Sequence, residues 1–312
     1  MKKVIFDTDI GIDDAMALLF LHYSPEVDLQ AIISGFGNAS IETTTRNALY
    51  MKDLFEISAP VYRGAGRPIS IAADVDFNGD YPDFVHAENG LGGIEILEPL
   101  SSAETKSGAQ AIVDIVKASP GEISIVAVGR MTNLAHALEI YPQLPTLVKE
   151  LTVMGGAFGF NGHKGNVTAV AEANIWGDAP AAQDVFNAGF NMTIVGLDVT
   201  EETIARDAFF DVLKQGAGKA GAFVYAISRF YLNFHKQTRN VFECPVHDSS
   251  AVAYVLRPQY YTTLAGTVSV VISGEKAGET VFEKNPDSCG QICIAVEPDK
   301  VLALYTETLT NG

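Results

Sequence analysis

Cysteine is scarce in this chain, and long apolar runs are missing. The 312 residues include only Cys244, Cys289 and Cys293. That odd, widely spaced set excludes a disulfide framework and offers no second ligand pair for zinc, so buried thiols are expected. The apolar stretch Val4 to Phe6 ends at Asp7. It is far too short for a signal-peptide core or a membrane span, which predicts a cytoplasmic protein. Positive charge is also in short supply: 21 Lys plus Arg face 38 Asp plus Glu, for a formal charge of −17. With no basic cluster against that background, nucleic acid and anionic membrane are excluded as expected partners.

What the chain has is apolar material: 47% of its residues are hydrophobic and 19% are charged, the balance of a packed globular protein. Strand-length apolar runs recur at Val4 to Phe6, Leu29 to Ser34, Ile123 to Val128, Leu151 to Met154 and Met192 to Val195. Between them, Asp14 to His22, Ile41 to Phe55, Ala109 to Lys117, Thr132 to Ile140 and Ala179 to Ala188 carry apolar residues at three- and four-residue intervals. This alternation predicts an α/β fold with an open, mainly parallel, doubly wound sheet and helices on both faces. Ala65 to Leu100, rich in Gly, Pro and Asp, reads as a long irregular excursion. A helical portion is expected near Glu201 to Arg257, with helix from Asp198 through roughly Phe234 and again near Ser249 to Leu256. Strand-like runs follow at Thr267 to Ile272 and Ile292 to Val296. No linker divides the chain, so residues 1–312 are read as one domain.

In such folds ligands bind beyond the carboxyl ends of the strands. At the first of these ends, VIFDTDIGIDDA places Asp7 and Asp9 where a buried strand stops, and Asp13 and Asp14 where a helix starts. Helix capping accounts for one or two acids there, but four carboxylates in eight residues require a compensating positive charge. Hard oxygen donors without Cys or His favour calcium or magnesium over zinc. A strand followed by Asp-x-Asp also opens haloacid-dehalogenase-type phosphatases. Those proteins expect Thr or Val two residues past the second Asp, where this chain has Gly11, and they lack the second Asp pair.

The string DTDIGIDDA resembles the signature of the inosine-uridine preferring nucleoside hydrolases. Gly37-Asn38, Val128-Gly129 with Met131-Thr132-Asn133, Met154-Gly155-Gly156, Gly165-Asn166 with Glu172-Ala173-Asn174, and Val246-His247-Asp248 continue the match in order across nearly the whole chain. The resemblance implies a calcium ion held by Asp9, Asp14, Asp248 and the Val128 carbonyl, which as a backbone ligand tolerates Val where several relatives have Thr. It implies cleavage of the N-glycosidic bond of a small-molecule ribonucleoside by water, with Asp9 as general base. Asp13, Asn38, Asn174, Asn166 and Glu172 would hold the ribose hydroxyls, with Met154 beneath the sugar. Glu172-Ala173-Asn174 reads as a strand with two polar side chains on one face.

His247, beside a ligand, is the candidate to assist the leaving base. Tyr231 and His235, four apart on one helix, share a face that would wall the base pocket, and His86 would close over it. At position 87 the family pattern has Gly where this chain has Ala. Purine, pyrimidine and broad enzymes share the sugar site, and His247 leans the reading towards inosine and uridine. A sensor that binds nucleosides without cleaving them is the competing class, and the intact Asp9 favours turnover. The resemblance also implies a homo-oligomer, a dimer or tetramer.

Overall fold

Strands covered on both faces need apolar residues at successive positions, and the central runs of this sequence supply them. The computed structural model describes residues 1–72, 75, 77–79 and 81–312. Its strands are β1 (Lys2–Thr8), β2 (Val27–Ser34), β3 (Val61–Arg63), β4 (Ile123–Ala127), β5 (Glu150–Met154), β6 (Met192–Val195), β7 (Ile204–Arg206), β8 (Glu243–Pro245), β9 (Tyr261–Val270), β10 (Thr280–Lys284) and β11 (Gly290–Val296). The helices are α1 (Ile12–Tyr23), α2 (Ile41–Phe55), α3 (Asp83–His86), α4 (Gly108–Ala118), α5 (Thr132–Ile140), α6 (Leu144–Leu147), α7 (Ala173–Gly177), α8 (Ala179–Asn187), α9 (Leu197–Thr200), α10 (Asp207–Gly216), α11 (Gly218–Arg239), α12 (Asp248–Leu256) and α13 (Pro298–Asn311).

Nine strands form one sheet in the order β10-β9-β11-β6-β5-β4-β1-β2-β3. It is parallel from β3 across to β11, and only the β11–β9 and β9–β10 pairs are antiparallel. The expected open, mainly parallel sheet is what the chain forms. Its two faces follow from the period of two along each strand. Val4 and Phe6 of β1 join a core with α1, α2 and α10 to α13, whereas Ile5 joins a second core with α4, α5 and α8. From β1 the chain proceeds outward to β2 and β3, then returns through β4 and continues the other way. The β1/β4 boundary is therefore the topological switch point, where such sheets open a crevice. Val128 N–H donates to the Asp7 carbonyl at 2.8 Å, holding the two strand ends together there.

The structure differs from the sequence reading in several places. The helical stretch after Asp198 is interrupted by β7, which pairs with β8 as a separate two-stranded ribbon, and α11 continues to Arg239. The short β3, the edge strand β10 and the C-terminal α13 complete elements that the reading left unassigned. Cys244 and Cys293 are buried as expected, but Cys289 is exposed at the entry to β11. Among the described residues no helix is long and apolar enough to cross a membrane.

Candidate active site

The turn between β1 and α1 is built around one carboxylate. Asp14, fully buried in the first turn of α1, accepts from Thr8 Oγ1 at 2.6 Å and from Asp9 N–H at 3.1 Å on one oxygen. Its other oxygen accepts from Gly11 N–H at 3.0 Å and from Asn38 Nδ2 at 2.7 Å. Capping and site-building are therefore one act here, since the bond from Gly11 is the cap of α1.

Asp9 is held differently. Its Oδ2 accepts from Asn38 N–H at 2.8 Å, while Oδ1 is buried without a partner. Glycine is required on both sides of this carboxylate. A Cβ on Gly37 would lie 1.8 Å from Oδ2, and one on Gly129 would lie 2.8 Å from Oδ1. Asp13 also keeps a buried oxygen without a partner.

Across the crevice, α12 begins with Asp248. One oxygen each from Asp13, Asp14 and Asp248 lies within 4.8 Å of the others, and all three residues are buried. Burial and the mutual negative charge push Asp13 up to about 8 and hold Asp9 and Asp248 well above the usual carboxylate range. Buried carboxylates that repel one another, with Asp9 Oδ1 and Asp13 Oδ1 lacking hydrogen-bond donors, are what a hard divalent cation satisfies. The donor set thus fits the ion implied by the sequence. Asp14 and Asp248 belong to both the observed cluster and the implied ligand set, Asp13 is added, and Asp9 stands outside the cluster.

The ends of β4 and β5 form the next wall. Asn174 Nδ2 donates to the carbonyls of Val128 at 2.7 Å and Met154 at 3.2 Å, tying both strand ends to α7. The strand expected at Glu172-Ala173-Asn174 is instead a helix start. Glu172 precedes α7, and its carboxylate accepts from Asn174 N–H at 2.9 Å, Ile175 N–H at 3.2 Å and Gly156 N–H at 3.0 Å. A buried acid surrounded by free amides is worth more as a cap than as a strand residue. Asn166 Oδ1 accepts from Ala173 N–H at 3.0 Å, closing this corner.

The opposite wall comes from α3, α11 and the residue before α12. Tyr231 and His235 share one face of α11 with ring centroids 4.8 Å apart, as their spacing predicts. His86 stacks on Tyr231 with centroids 6.1 Å apart, and its Nδ1 accepts from Ile12 N–H at 3.1 Å. Ala87, just after it, has φ 64° and ψ 164°, a conformation that only glycine adopts without strain. Burial lowers His86, His235 and His247 to about 4 each, so all three rings are neutral at pH 7.

Twelve of the fourteen residues given a binding or catalytic role from the sequence line one cavity of about 290 Å³; Asp9 and Asp14 are not in its wall, nor is Asp7 of the acidic cluster. Phe84, Phe234 and Arg239 line it as well. Arg239 had a legible signal, standing four residues past His235 on the same helix face. Its partner Glu201, whose two oxygens accept from Nη1 and Nη2 at 2.7 and 2.9 Å, lies 38 residues away and had none.

This arrangement of strand-end carboxylates under a helical wall can be compared with known proteins. The family model for inosine-uridine preferring nucleoside hydrolase matches residues 4–303. The chain belongs to that family. It is 35% identical to uridine nucleosidase 1 of Arabidopsis thaliana over 91% of this chain and 82% of that relative. It is 33% identical to the inosine-uridine preferring nucleoside hydrolase of Leishmania major over 99% of this chain and 97% of that one. The solved purine-preferring ribonucleoside hydrolase of Gardnerella vaginalis superposes with a TM-score of 0.92 at 31% identity, over 99% of this chain and 98% of that one. Nucleoside hydrolases of differing base preference thus share this chain's fold across nearly its full length.

Proposed function

We propose that the protein hydrolyses the N-glycosidic bond of ribonucleosides, releasing ribose and free base, with calcium as its cofactor and inosine and uridine as preferred substrates. The observation that carries the reading is the cluster of Asp13, Asp14 and Asp248, two of which line a cavity of about 290 Å³, together with the unpartnered, buried Oδ1 of Asp9, whose own N–H is bonded to Asp14. Asp9, Asp14, Asp248 and the Val128 carbonyl would hold the ion. That carbonyl has a second lone pair free beside the bond from Asn174. When bound, the ion supplies Lewis acidity towards a water and an anchor for vicinal hydroxyls.

The chain's own groups do the rest. Asp9 Oδ1 accepts the proton of the attacking water, and its fixed Oδ2 keeps it aimed. Asp13, Asn38 and Asn174 orient the 2′ and 3′ hydroxyls, Asn166 and Glu172 the 5′ hydroxyl, and Met154 packs beneath the ring. As the C1′–N bond breaks, charge builds on the ribose and electron density moves to the base. His86, Tyr231, His235 and His247 enclose that base, and His247 assists its departure. The reading includes a cytoplasmic homotetramer, which cell fractionation and light scattering test.

The experiment is ribose release from a panel of ribonucleosides by chelator-stripped protein given calcium or magnesium. Calcium-restored release, fastest on inosine and uridine, is the expected result. Release that is indifferent to the chelator removes the cofactor assignment, and no release from any nucleoside removes the function.

A further inference from the structure

His247 reaches the cavity from a segment braced from behind by residues 200–206. The Thr203 carbonyl accepts from Val246 N–H at 2.8 Å, and β7 pairs with β8 immediately before it. Glu201 accepts from both terminal guanidinium nitrogens of Arg239. Thr200, at the end of α9, has no solvent exposure, and its Oγ1 lies 2.8 Å from His247 Nδ1.

That contact has a direction. Were Nδ1–H the donor, the Thr200 hydroxyl proton would need another acceptor, and none is hydrogen-bonded to it among the described residues. A buried hydroxyl left without an acceptor is costly, so the hydroxyl donates and Nδ1 accepts. The single proton of the neutral ring then sits on Nε2, the nitrogen left for a ligand.

We propose that Thr200 is a positioning residue for base departure, fixing the tautomer of His247 so that Nε2–H is presented to the leaving base. This rests on the reading that His247 faces the base. In the step, the electron pair of the C1′–N bond goes to the base, whose developing charge accepts a hydrogen bond from Nε2–H. The water oxygen forms the new bond to C1′, and its proton passes to Asp9.

The test compares Thr200→Val, which keeps the shape without the hydroxyl, with Thr200→Ser, which keeps the hydroxyl. Substrates are uridine, inosine and p-nitrophenyl β-D-ribofuranoside, whose phenolate leaves without assistance. Thr200→Val should lose about 10- to 100-fold in kcat on the nucleosides with KM little changed. It should keep kcat on the aryl riboside, and Thr200→Ser should recover nucleoside turnover. Equal loss on all three substrates marks a merely structural role and overturns the proposal, as does an undiminished Thr200→Val or a Thr200→Ser that fails to recover. His247→Ala separates the two readings. If it leaves nucleoside turnover unchanged, the assignment of His247 falls and this proposal with it. If it impairs turnover while Thr200→Val does not, only this proposal falls.

Discussion

Replacing Asp9 by Asn is the sharpest perturbation the site allows, because shape is conserved and the geometry dictates how the amide must sit. Asn38 N–H points at Oδ2 from 2.8 Å, so the new side chain must turn its oxygen there. That places an NH2 group where the unpartnered Oδ1 stood. A donor then occupies the position that must accept the proton of water. Loss of a positioned base costs about 10²- to 10⁴-fold, or roughly 3 to 5.5 kcal/mol in the barrier. Single-turnover ribose release at saturating metal reads this loss, and calorimetric titration of calcium and of substrate reports binding separately. Retention of more than about a tenth of wild-type kcat, with the metal bound, would refute Asp9 as the base.

Three further outcomes follow from the geometry. Burial raises Asp7 to about 7 and Asp13 to about 8, with Asp9 and Asp248 shifted the same way, against about 4 in the unfolded chain. Through these carboxylates the folded protein binds more protons than the unfolded one, and the stability they contribute below about pH 4 is lost as pH rises towards 8. Above about pH 6.5, where the three histidines lowered to about 4 no longer act in the opposite sense, chelated protein should show a melting temperature that falls towards pH 8, and calcium should raise it and flatten the slope. A flat apo profile contradicts the cluster's electrostatics. Ala87→Gly relieves backbone strain of order 1–3 kcal/mol against a glycine entropy cost of about 0.5–1, so denaturant unfolding should show a net gain of about 1 kcal/mol. Glu172→Gln has one oxygen left for amides that two now serve, so it should lower stability by about 1–3 kcal/mol and raise KM more than it lowers kcat.

Periodicity made the sheet legible, because short, mostly apolar runs such as Ile123 to Ala127, interrupted only by Ser124, alternate with helical patterns and are buried on both faces. Helices with local end signals were equally clear. Ser40 caps α2 through Thr43 N–H, and the expected bounds of that helix are the observed ones. What escaped were elements whose pattern is supplied by distant partners. The three residues of β3 are a strand only because β2 lies alongside, and Glu172 caps a helix only because the chain turns there to meet Gly156. In the candidate site, the clustered aspartates and the four-residue spacing of Tyr231 and His235 stood out locally. Glu201, Thr200 and the Asn133–Asp7 bond at 2.7 Å join residues far apart in sequence and left no local trace.

The cavity is assembled from two kinds of wall. Its carboxylates and amides stand on strand ends, helix starts and their turns, where Asp9, Asp14, Glu172, Asn166 and Asn174 are tied to backbone and a change in one disturbs several neighbours. Its aromatic side stands on the exposed-to-cavity stripe of a single long helix and a short loop segment, where rings touch rings and few bonds depend on them. On the proposed function, substitutions on α11 can therefore accumulate without unsettling the sugar side, whereas His86 of α3 is tied to it through Ile12 N–H. One scaffold can drift among purine, pyrimidine and mixed diets while its hydrolytic machinery stays fixed, and an engineer seeking a new leaving group should randomise the helix and leave the sheet alone.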